Sequence, residues 1–154
     1  MSKSPLVGIV LGSKSDEEKL KKCTDLLEQY GILFELNIIS AHRTPNKAAK
    51  YAKTAKARGI RVIITAAGLS AALPGVLAAH TTLPVVGLPI AAGALSGKDA
   101  LYSIVQMPPG IPVATVGIDN AANAAHLAAQ ILAVSDAHLT AGIEKFRAGF
   151  GDDQ

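Results

Sequence analysis

A short polar turn with the sequence SAHRTP, residues 40–45, concentrates the most reactive side chains of the chain. The imidazole of His42 can exchange protons near neutral pH, and the rigid fork of the Arg43 guanidinium can bind a phosphate. Ser40 and Thr44 could instead cap the helix that follows. An exposed His and Arg are common on protein surfaces, so the turn by itself leaves two interpretations open. One is an ordinary surface loop, and the other is acid–base chemistry on a phosphorylated small molecule.

A second polar turn, GSKSD at residues 12–16, follows the first apolar run of the chain. Its hydroxyls and backbone N–H groups precede a helical pattern, and a helix N-terminus favours an anion. Asp16 could accept hydrogen bonds from ribose hydroxyls. The alternative is ordinary N-capping by Ser13 or Ser15, with Asp16 in the first helical turn.

A third turn, AAGLSAALPG at residues 66–75, is built from small side chains. Small residues let a ligand approach the backbone, whose N–H groups can bind carboxylate oxygens. The alternative is close packing of a helix on a sheet. All three turns follow apolar runs, so we expect them to meet at one edge of a sheet.

The elements that must position these turns alternate regularly between strand and helix. Short apolar runs predict five buried parallel strands, at residues 6–11, 33–39, 61–66, 84–88 and 113–118. Helical patterns follow them, at about residues 20–30, 45–58, 76–80, 99–107, 120–134 and 136–150. This alternation predicts an α/β three-layer sandwich with a five-stranded parallel sheet, flavodoxin-like or Rossmann-like, in a single domain spanning residues 1–154.

The composition is strongly aliphatic. Hydrophobic residues make up 49% of the chain, charged residues 18% and aromatic residues 4%, which indicates a core of Ala, Val, Ile and Leu covered on both sheet faces. This high share of hydrophobic residues also suggests that part of the surface is buried between subunits. The last helical pattern carries an apolar stripe at Leu139, Ile143, Phe146 and Phe150. That stripe packs either on its own domain or, as we expect, on a neighbouring subunit.

Several classes of protein are disfavoured. The net charge of +3 is mild, and no basic patch interleaved with aromatics predicts nucleic-acid binding. No apolar run reaches the ~20 residues of a membrane span. A lone cysteine, Cys23, cannot form an internal disulfide and suits a reducing cytoplasm. The remaining histidines, His80, His126 and His138, have no partner at metal-ligand spacing, so we expect no metal site.

The motifs resemble those of the PurE family of purine biosynthesis. The matching segments are GSKSD at 12–16, SAHRTP at 40–45, LPG at 73–75, ALSGKDALYSIVQMPPGIPVATV at 94–116 and NAAHLAAQIL at 123–132. The resemblance covers nearly the whole chain, and the combination of SAHRTP with SIVQMP is highly specific.

The resemblance implies a carboxylate transfer without metal or other cofactor. The carboxylate moves from the exocyclic nitrogen of an aminoimidazole ribonucleotide to ring carbon C4, with His42 as general acid and then base. The resemblance also implies a cytoplasmic homo-octamer that binds a ribonucleotide, not nucleic acid or a membrane. The implied substrate-binding residues are Ser13, Ser15, Asp16, Ser40, Arg43, Gly68, Ser70, Ala72 and Leu73.

One position departs from the family pattern. The common bacterial members read roughly GAAHLPG in the third turn, and Ala72 stands where they have His. Ser70 resembles another branch, with a loop like RSNALSG, that fixes CO2 directly onto the unmodified ribonucleotide. SAHRTP and SIVQMP favour the branch that moves the carboxylate. Two classes outside this chemistry stay open as well, namely a non-catalytic nucleotide-binding protein and a flavodoxin-like protein that binds FMN.

Overall fold

The computed structural model describes residues 4–151, which form a central five-stranded parallel sheet. The strand order is β2-β1-β3-β4-β5, so the prediction of a doubly wound, flavodoxin-like parallel sheet is confirmed. The strands are β1 (Val7–Leu11), β2 (Phe34–Ile38), β3 (Val62–Gly68), β4 (Val85–Ile90) and β5 (Ala114–Thr115).

Six α-helices cover both faces of the sheet. They are α1 (Lys21–Gln29), α2 (Pro45–Ala55), α3 (Leu73–Ala79), α4 (Lys98–Val105), α5 (Ala121–Ala133) and α6 (Ala137–Ala148). Helices α1 and α5 pack with the β1 residues Val7, Ile9 and Leu11 on one face. Helices α2, α3 and α4 pack on the opposite face, toward which Val10 points. Helix α6 lies on the outside of α5.

The core is aliphatic, as the composition predicts. Strands β1, β3 and β4 are buried along almost their whole length because helices cover both faces. Cys23 is fully buried among them, and burial raises the pKa of its thiol to about 12. A buried thiol with a raised pKa is a packing group rather than a reactive one.

The boundaries of α1 and α2 agree with the sequence prediction, and the start of α3 differs from it. Helix α1 begins at Lys21, after two 3₁₀ turns at Lys14–Asp16 and Glu18–Leu20. Helix α3 begins at Leu73 rather than residue 76, with Pro74 in its first turn, where a missing N–H is tolerated. Helix α2 passes into a short 3₁₀ turn and stops at Gly59, whose φ of 97° favours glycine.

Two strand predictions also need correction. Strand β4 does not end before Pro89 but runs through it. The carbonyl of Pro89 accepts from the Asp119 amide, on the side of β4 that faces away from β3. The nitrogen of Pro89 faces the same side as its carbonyl, so the missing N–H removes no hydrogen bond between β4 and β3. Strand β5 has only two residues, because it is an edge strand that pairs solely with Val86 and Gly87. The apolar run over 113–118 therefore overstated its length.

Among residues 4–151, no helix is both long enough and apolar enough to cross a membrane.

Candidate active site

The three turns meet where the winding of the sheet reverses. Strands β2 and β3 flank β1 on its two sides, and the crevice beyond their carboxyl ends is where such sheets bind ligands. A cavity of about 330 Å³ opens there. Its lining is Gly12, Ser13, Ser15, Asp16, Ser40, Ala41, His42, Arg43, Ala67, Gly68, Leu69, Ala71, Ala72, Leu73 and Ala92. Of the predicted site residues, only Ser70 lies outside this lining.

The turn after β1 presents two hydroxyls to the cavity. Ser13 caps the first 3₁₀ turn, and its Oγ accepts from the Ser15 amide at 3.3 Å and lies 2.8 Å from Ser15 Oγ. Ser15 Oγ reaches Asp16 Oδ1 at 3.5 Å. The capping interpretation is therefore correct for Ser13. It does not exclude ligand binding, because both serines stay exposed at the cavity wall.

The turn after β2 is held by Ser40 and Thr44. The Arg43 amide donates to Ser40 Oγ at 3.2 Å, and the Thr44 amide and hydroxyl both donate to Ser40 O at 2.9 Å. Thr44 occupies the N-cap position of α2, but its side chain makes no capping bond. The interpretation that it caps the helix is wrong, since its hydroxyl bonds back into the turn instead.

His42 and Arg43 are the two side chains that this turn leaves free. Both are exposed at the cavity mouth, and among the described residues neither side chain takes part in a hydrogen bond or an ion pair. The backbone of the turn is engaged while these two groups are not. That combination suits groups that bind or react with a ligand.

The turn after β3 supplies a small-residue wall. Gly68 ends β3, Leu69 has a left-handed φ of 53°, and Ala72 precedes the first residue of α3. A Cβ on Gly68 would lie 3.3 Å from Ala92 Cβ, tighter than ordinary packing. Glycine therefore permits close approach of the wall behind it. Ser70 is exposed on this turn and does not line the cavity.

Ala92 is the lining residue that sequence reasoning missed. It lies in the loop between β4 and α4, far from the first two turns along the chain but beside Gly68 in space. The signal in the sequence is weak, because residues 90–97 are mostly small and carry no charge. Only the pairing of β3 with β4 brings this loop to the cavity.

Asp16 is the acidic group of the cavity. Partial burial raises the pKa of its carboxyl, while the nearby Lys19 ammonium and the Ser15 hydroxyl oppose that rise. Asp119 adds a smaller effect in the raising direction. Asp16 thus lies in an electrostatic environment shared with the Lys19–Asp119 pair.

A second and larger cavity, of about 510 Å³, lies on the outer side of α5. His126 lines it, and Nδ1 of this residue shares a hydrogen bond of 2.9 Å with the Tyr30 hydroxyl. The ring centre of His126 lies 4.5 Å from that of Phe146. Burial, and secondarily the charge of Arg147, lower the pKa of His126. This histidine is engaged by its neighbours, unlike His42.

Within residues 4–151, no three His, Cys, Asp or Glu side chains converge as metal ligands would.

A doubly wound parallel sheet with a cavity at its switch point, where an imidazole and a guanidinium are free, is an arrangement with which α/β proteins bind anionic small molecules. The comparisons with known proteins give the family. Residues 6–152 match the family model described as AIR carboxylase, and the chain belongs to that family.

Curated relatives and a solved structure agree with this assignment. A Pyrococcus horikoshii protein named N5-carboxyaminoimidazole ribonucleotide mutase is 58% identical over 86% of this chain and 75% of its own length. A Schizosaccharomyces pombe protein named phosphoribosylaminoimidazole carboxylase is 52% identical over 93% of this chain, but only 26% of its own length is matched. A crystal structure of Treponema denticola PurE has a TM-score of 0.85 and 32% identity, covering 94% of this chain and 90% of its own.

Proposed function

We propose that this protein is a mutase of purine biosynthesis that converts N5-carboxyaminoimidazole ribonucleotide into 4-carboxy-5-aminoimidazole ribonucleotide. The observation that carries the proposal is the pair of free side chains, His42 and Arg43, at the switch-point cavity. The names of relatives that share more than half of the aligned residues support the same activity.

The reaction needs one group that can give and then take a proton. The His42 imidazolium donates a proton to the exocyclic nitrogen, the N–C bond of the carbamate breaks, and CO2 forms beside the neutral amine. The enamine-like C4 then attacks CO2, which makes the C4–carboxylate bond. Neutral His42 removes the C4 proton, the ring regains aromaticity, and the protonated imidazole is restored. One imidazole can serve both steps because His exchanges protons near neutral pH.

The polar residues of the first two turns would bind the ribonucleotide. Arg43 and the hydroxyls of Ser13, Ser15 and Ser40 suit the phosphate, which prefers a guanidinium fork and N–H or O–H donors. The Asp16 carboxylate suits the ribose hydroxyls.

The third turn would hold the CO2 intermediate. Gly68, Ala72 and Leu73 leave room there and present little polar surface, which favours retention of CO2 over hydration. Ser70 does not line the cavity, so we assign it no contact with substrate in the single chain. With Ala72 at the position of the usual histidine, His42 carries the proton transfers alone.

The test is a side-by-side assay with two substrates. The purified protein should form product from the carbamate without added bicarbonate. With unmodified aminoimidazole ribonucleotide, product should form only slowly, even at high bicarbonate. If the second rate rises with bicarbonate to match the first, the direct carboxylase activity replaces the mutase. If neither substrate reacts but the nucleotide binds, the chain is a non-catalytic binding protein.

We also propose that the chain assembles as a cytoplasmic homo-octamer in which α6 packs on a neighbouring subunit. In support, only Leu139 of α6 is buried within the chain, whereas Phe150 is 72% exposed and Val134 is 90% exposed. Light scattering should give eight times the chain mass of 15.8 kDa. Phe150→Ser should shift that mass downward, and a monomer mass for the parent protein would contradict the proposal.

A further inference from the structure

The loop that carries Ala92 is attached to the sheet by two side chains from distant parts of the sequence. The Ala91 amide donates to Asp119 Oδ1 at 2.9 Å, and Lys19 Nζ donates to the Ala91 carbonyl at 2.6 Å. Lys19 Nζ also lies 3.3 Å from both carboxylate oxygens of Asp119. Both backbone polar groups of Ala91 are therefore satisfied by one ion pair.

Asp119 is itself fixed by the backbone. Its amide donates to the Pro89 carbonyl at 2.9 Å, which ties it to the end of β4. Its φ of 56° lies in the left-handed region, which Asp and Asn tolerate better than most residues. The side chain thus reaches back across the strand end to Ala91 from a fixed position.

The contacts of Lys19 and Asp119 with Ala91 affect the cavity through the neighbouring residue Ala92. Ala92 follows Ala91 and lines the cavity against Gly68. The next residue, Gly93, lies close enough to Leu69 that a Cβ on it would come within 2.8 Å of Leu69 Cδ2. Holding Ala91 therefore holds the wall that faces the third turn.

An exposed ion pair by itself contributes little to stability, and both partners here are about two-fifths exposed. The arrangement differs from an ordinary surface pair because it satisfies the backbone of a loop that lines the site. For comparison, Lys21 and Asp25 also pair, at 2.9 Å, but they lie one turn apart on α1 and satisfy no loop.

We infer that Lys19 and Asp119 are positioning residues for the proposed reaction: they hold the Ala91–Ala92 wall closed over the carboxylate end of the substrate, so that the CO2 intermediate is captured by C4 rather than lost. This inference rests on the proposed mutase function. The pair touches no reacting atom and acts through the position of Ala92.

The predicted effect is a change in partition, which a general loss of stability would not produce. Each turnover ends either in the C4 carboxylate or in free aminoimidazole ribonucleotide plus CO2. We expect Asp119→Gly to raise the lost fraction by about tenfold, since a displacement of about 1 Å can change a rate by about a hundredfold. Both products are measured by chromatography after subtraction of the enzyme-free decay of the carbamate.

The variants separate the contacts. Asp119→Gly removes the acceptor and the charge but tolerates the positive φ. Asp119→Asn keeps an acceptor for the Ala91 amide but loses the charge and one of the two oxygens near Lys19 Nζ, so the lost fraction should rise less than in Asp119→Gly. Lys19→Met removes the ammonium contacts with the Ala91 carbonyl and the Asp119 carboxylate but keeps the aliphatic stem. Lys19→Arg keeps a cation, so its lost fraction should stay close to that of the parent protein. Asp25→Asn breaks the matched pair on α1 and should partition like the parent protein.

Hydrogen exchange of the Ala91 amide, measured without substrate, tests the anchor directly. Faster exchange in Asp119→Gly together with a raised lost fraction supports the inference. The inference is overturned if Asp119→Gly, Asp119→Asn and Lys19→Met all partition like the parent protein. It is also overturned if the lost fraction in Asp25→Asn rises as much as in Asp119→Gly. If Asp119→Gly fails to fold, the Asn and Met variants decide. A parent protein that forms no product from the carbamate refutes the proposed function instead, and the exchange rates then still decide whether the pair holds the wall.

Discussion

Two of the histidine-lined cavities, those around His126 and His42, have opposite properties. The cavity around His126 is larger, about 510 Å³ against about 330 Å³, and it carries three aromatic side chains besides the histidine. Yet His126 is hydrogen-bonded to Tyr30 and packed against Phe146. His42 lies in the smaller cavity, beside hydroxyls, a carboxylate and a guanidinium, and its own side chain makes no hydrogen bond among the described residues.

The difference shows that cavity size is a poor guide to chemistry in this protein. A histidine whose ring already has a hydrogen-bond partner and a packed aromatic neighbour contributes to packing, and protonating it would disturb that packing. A histidine on a turn whose backbone bonds are made elsewhere is available to a ligand. The position at the sheet switch point, rather than the volume, marks the site.

The largest expected effect comes from exchanging each histidine for asparagine. His42→Asn should lower kcat by about 10²–10⁴-fold, the usual contribution of a general acid–base group, while the Kd for the ribonucleotide stays nearly unchanged. His126→Asn should keep kcat close to that of the parent protein. Stopped assays and calorimetric titration check both values. A folded His42→Asn protein with parent-like kcat would show that His42 is no more catalytic than His126.

The next effect concerns the free guanidinium. Arg43→Met should raise KM by about 10- to 100-fold with a smaller change in kcat, because hydrogen bonds to charged groups contribute about 1.5–3 kcal/mol. Arg43→Lys should recover only part of the loss, since an ammonium lacks the planar fork. Arg61→Met, at the opposite edge of the sheet just before β3, is the matched control. A KM for Arg43→Met equal to that of the control would argue against phosphate binding here.

The smallest effect is a pH dependence of stability at the other histidine. Burial and the charge of Arg147 lower the pKa of His126 below its ordinary 6.5 in the folded protein, and unfolding restores that value. Protons therefore favour the unfolded chain. The stability that neutral His126 contributes is complete above the unfolded pKa and is lost as the pH falls through the lower, folded value.

Thermal melts from about pH 8 to about pH 5 measure this effect, because this interval contains the ordinary titration range of histidine. The acid decline in Tm should be smaller in His126→Asn than in the parent protein, because the variant lacks the group whose pKa is lowered in the folded state. His138→Asn replaces an exposed histidine of α6 and should leave the decline unchanged. Equal declines in all three proteins would show that His126 titrates normally.

Much of the fold could be predicted from the sequence because its signals are local. Uninterrupted apolar runs identify strands buried on both faces, and Gly31 and Gly59 mark helix ends by the positive φ that both adopt. The same locality explains the errors. Pro89 stays in a strand because its missing N–H faces a side without a ladder partner, and β5 is short because its neighbour pairs with only two residues. Both facts depend on strand order.

The candidate site divides in the same way. The SAHRTP turn, the two serines of the first turn and the small residues of the third were predicted because each motif follows a strand directly, and a parallel sheet brings the ends of its strands to one edge. The chemistry of His42 and Arg43 is inherent in their side chains. The sequence by itself therefore determined which groups are reactive and which edge of the sheet presents them.

Only the tertiary structure decided which groups are free and which are held. The sequence distinguishes His42, in a polar turn, from His126, in a helical pattern, but only packing gives His126 a tyrosine and a phenylalanine. The anchor of the Ala91–Ala92 wall joins Lys19, Ala91 and Asp119, which are separated by 72 and 28 positions along the chain. Such contacts depend on how strands are ordered across the sheet, and no local pattern of residues specifies that order.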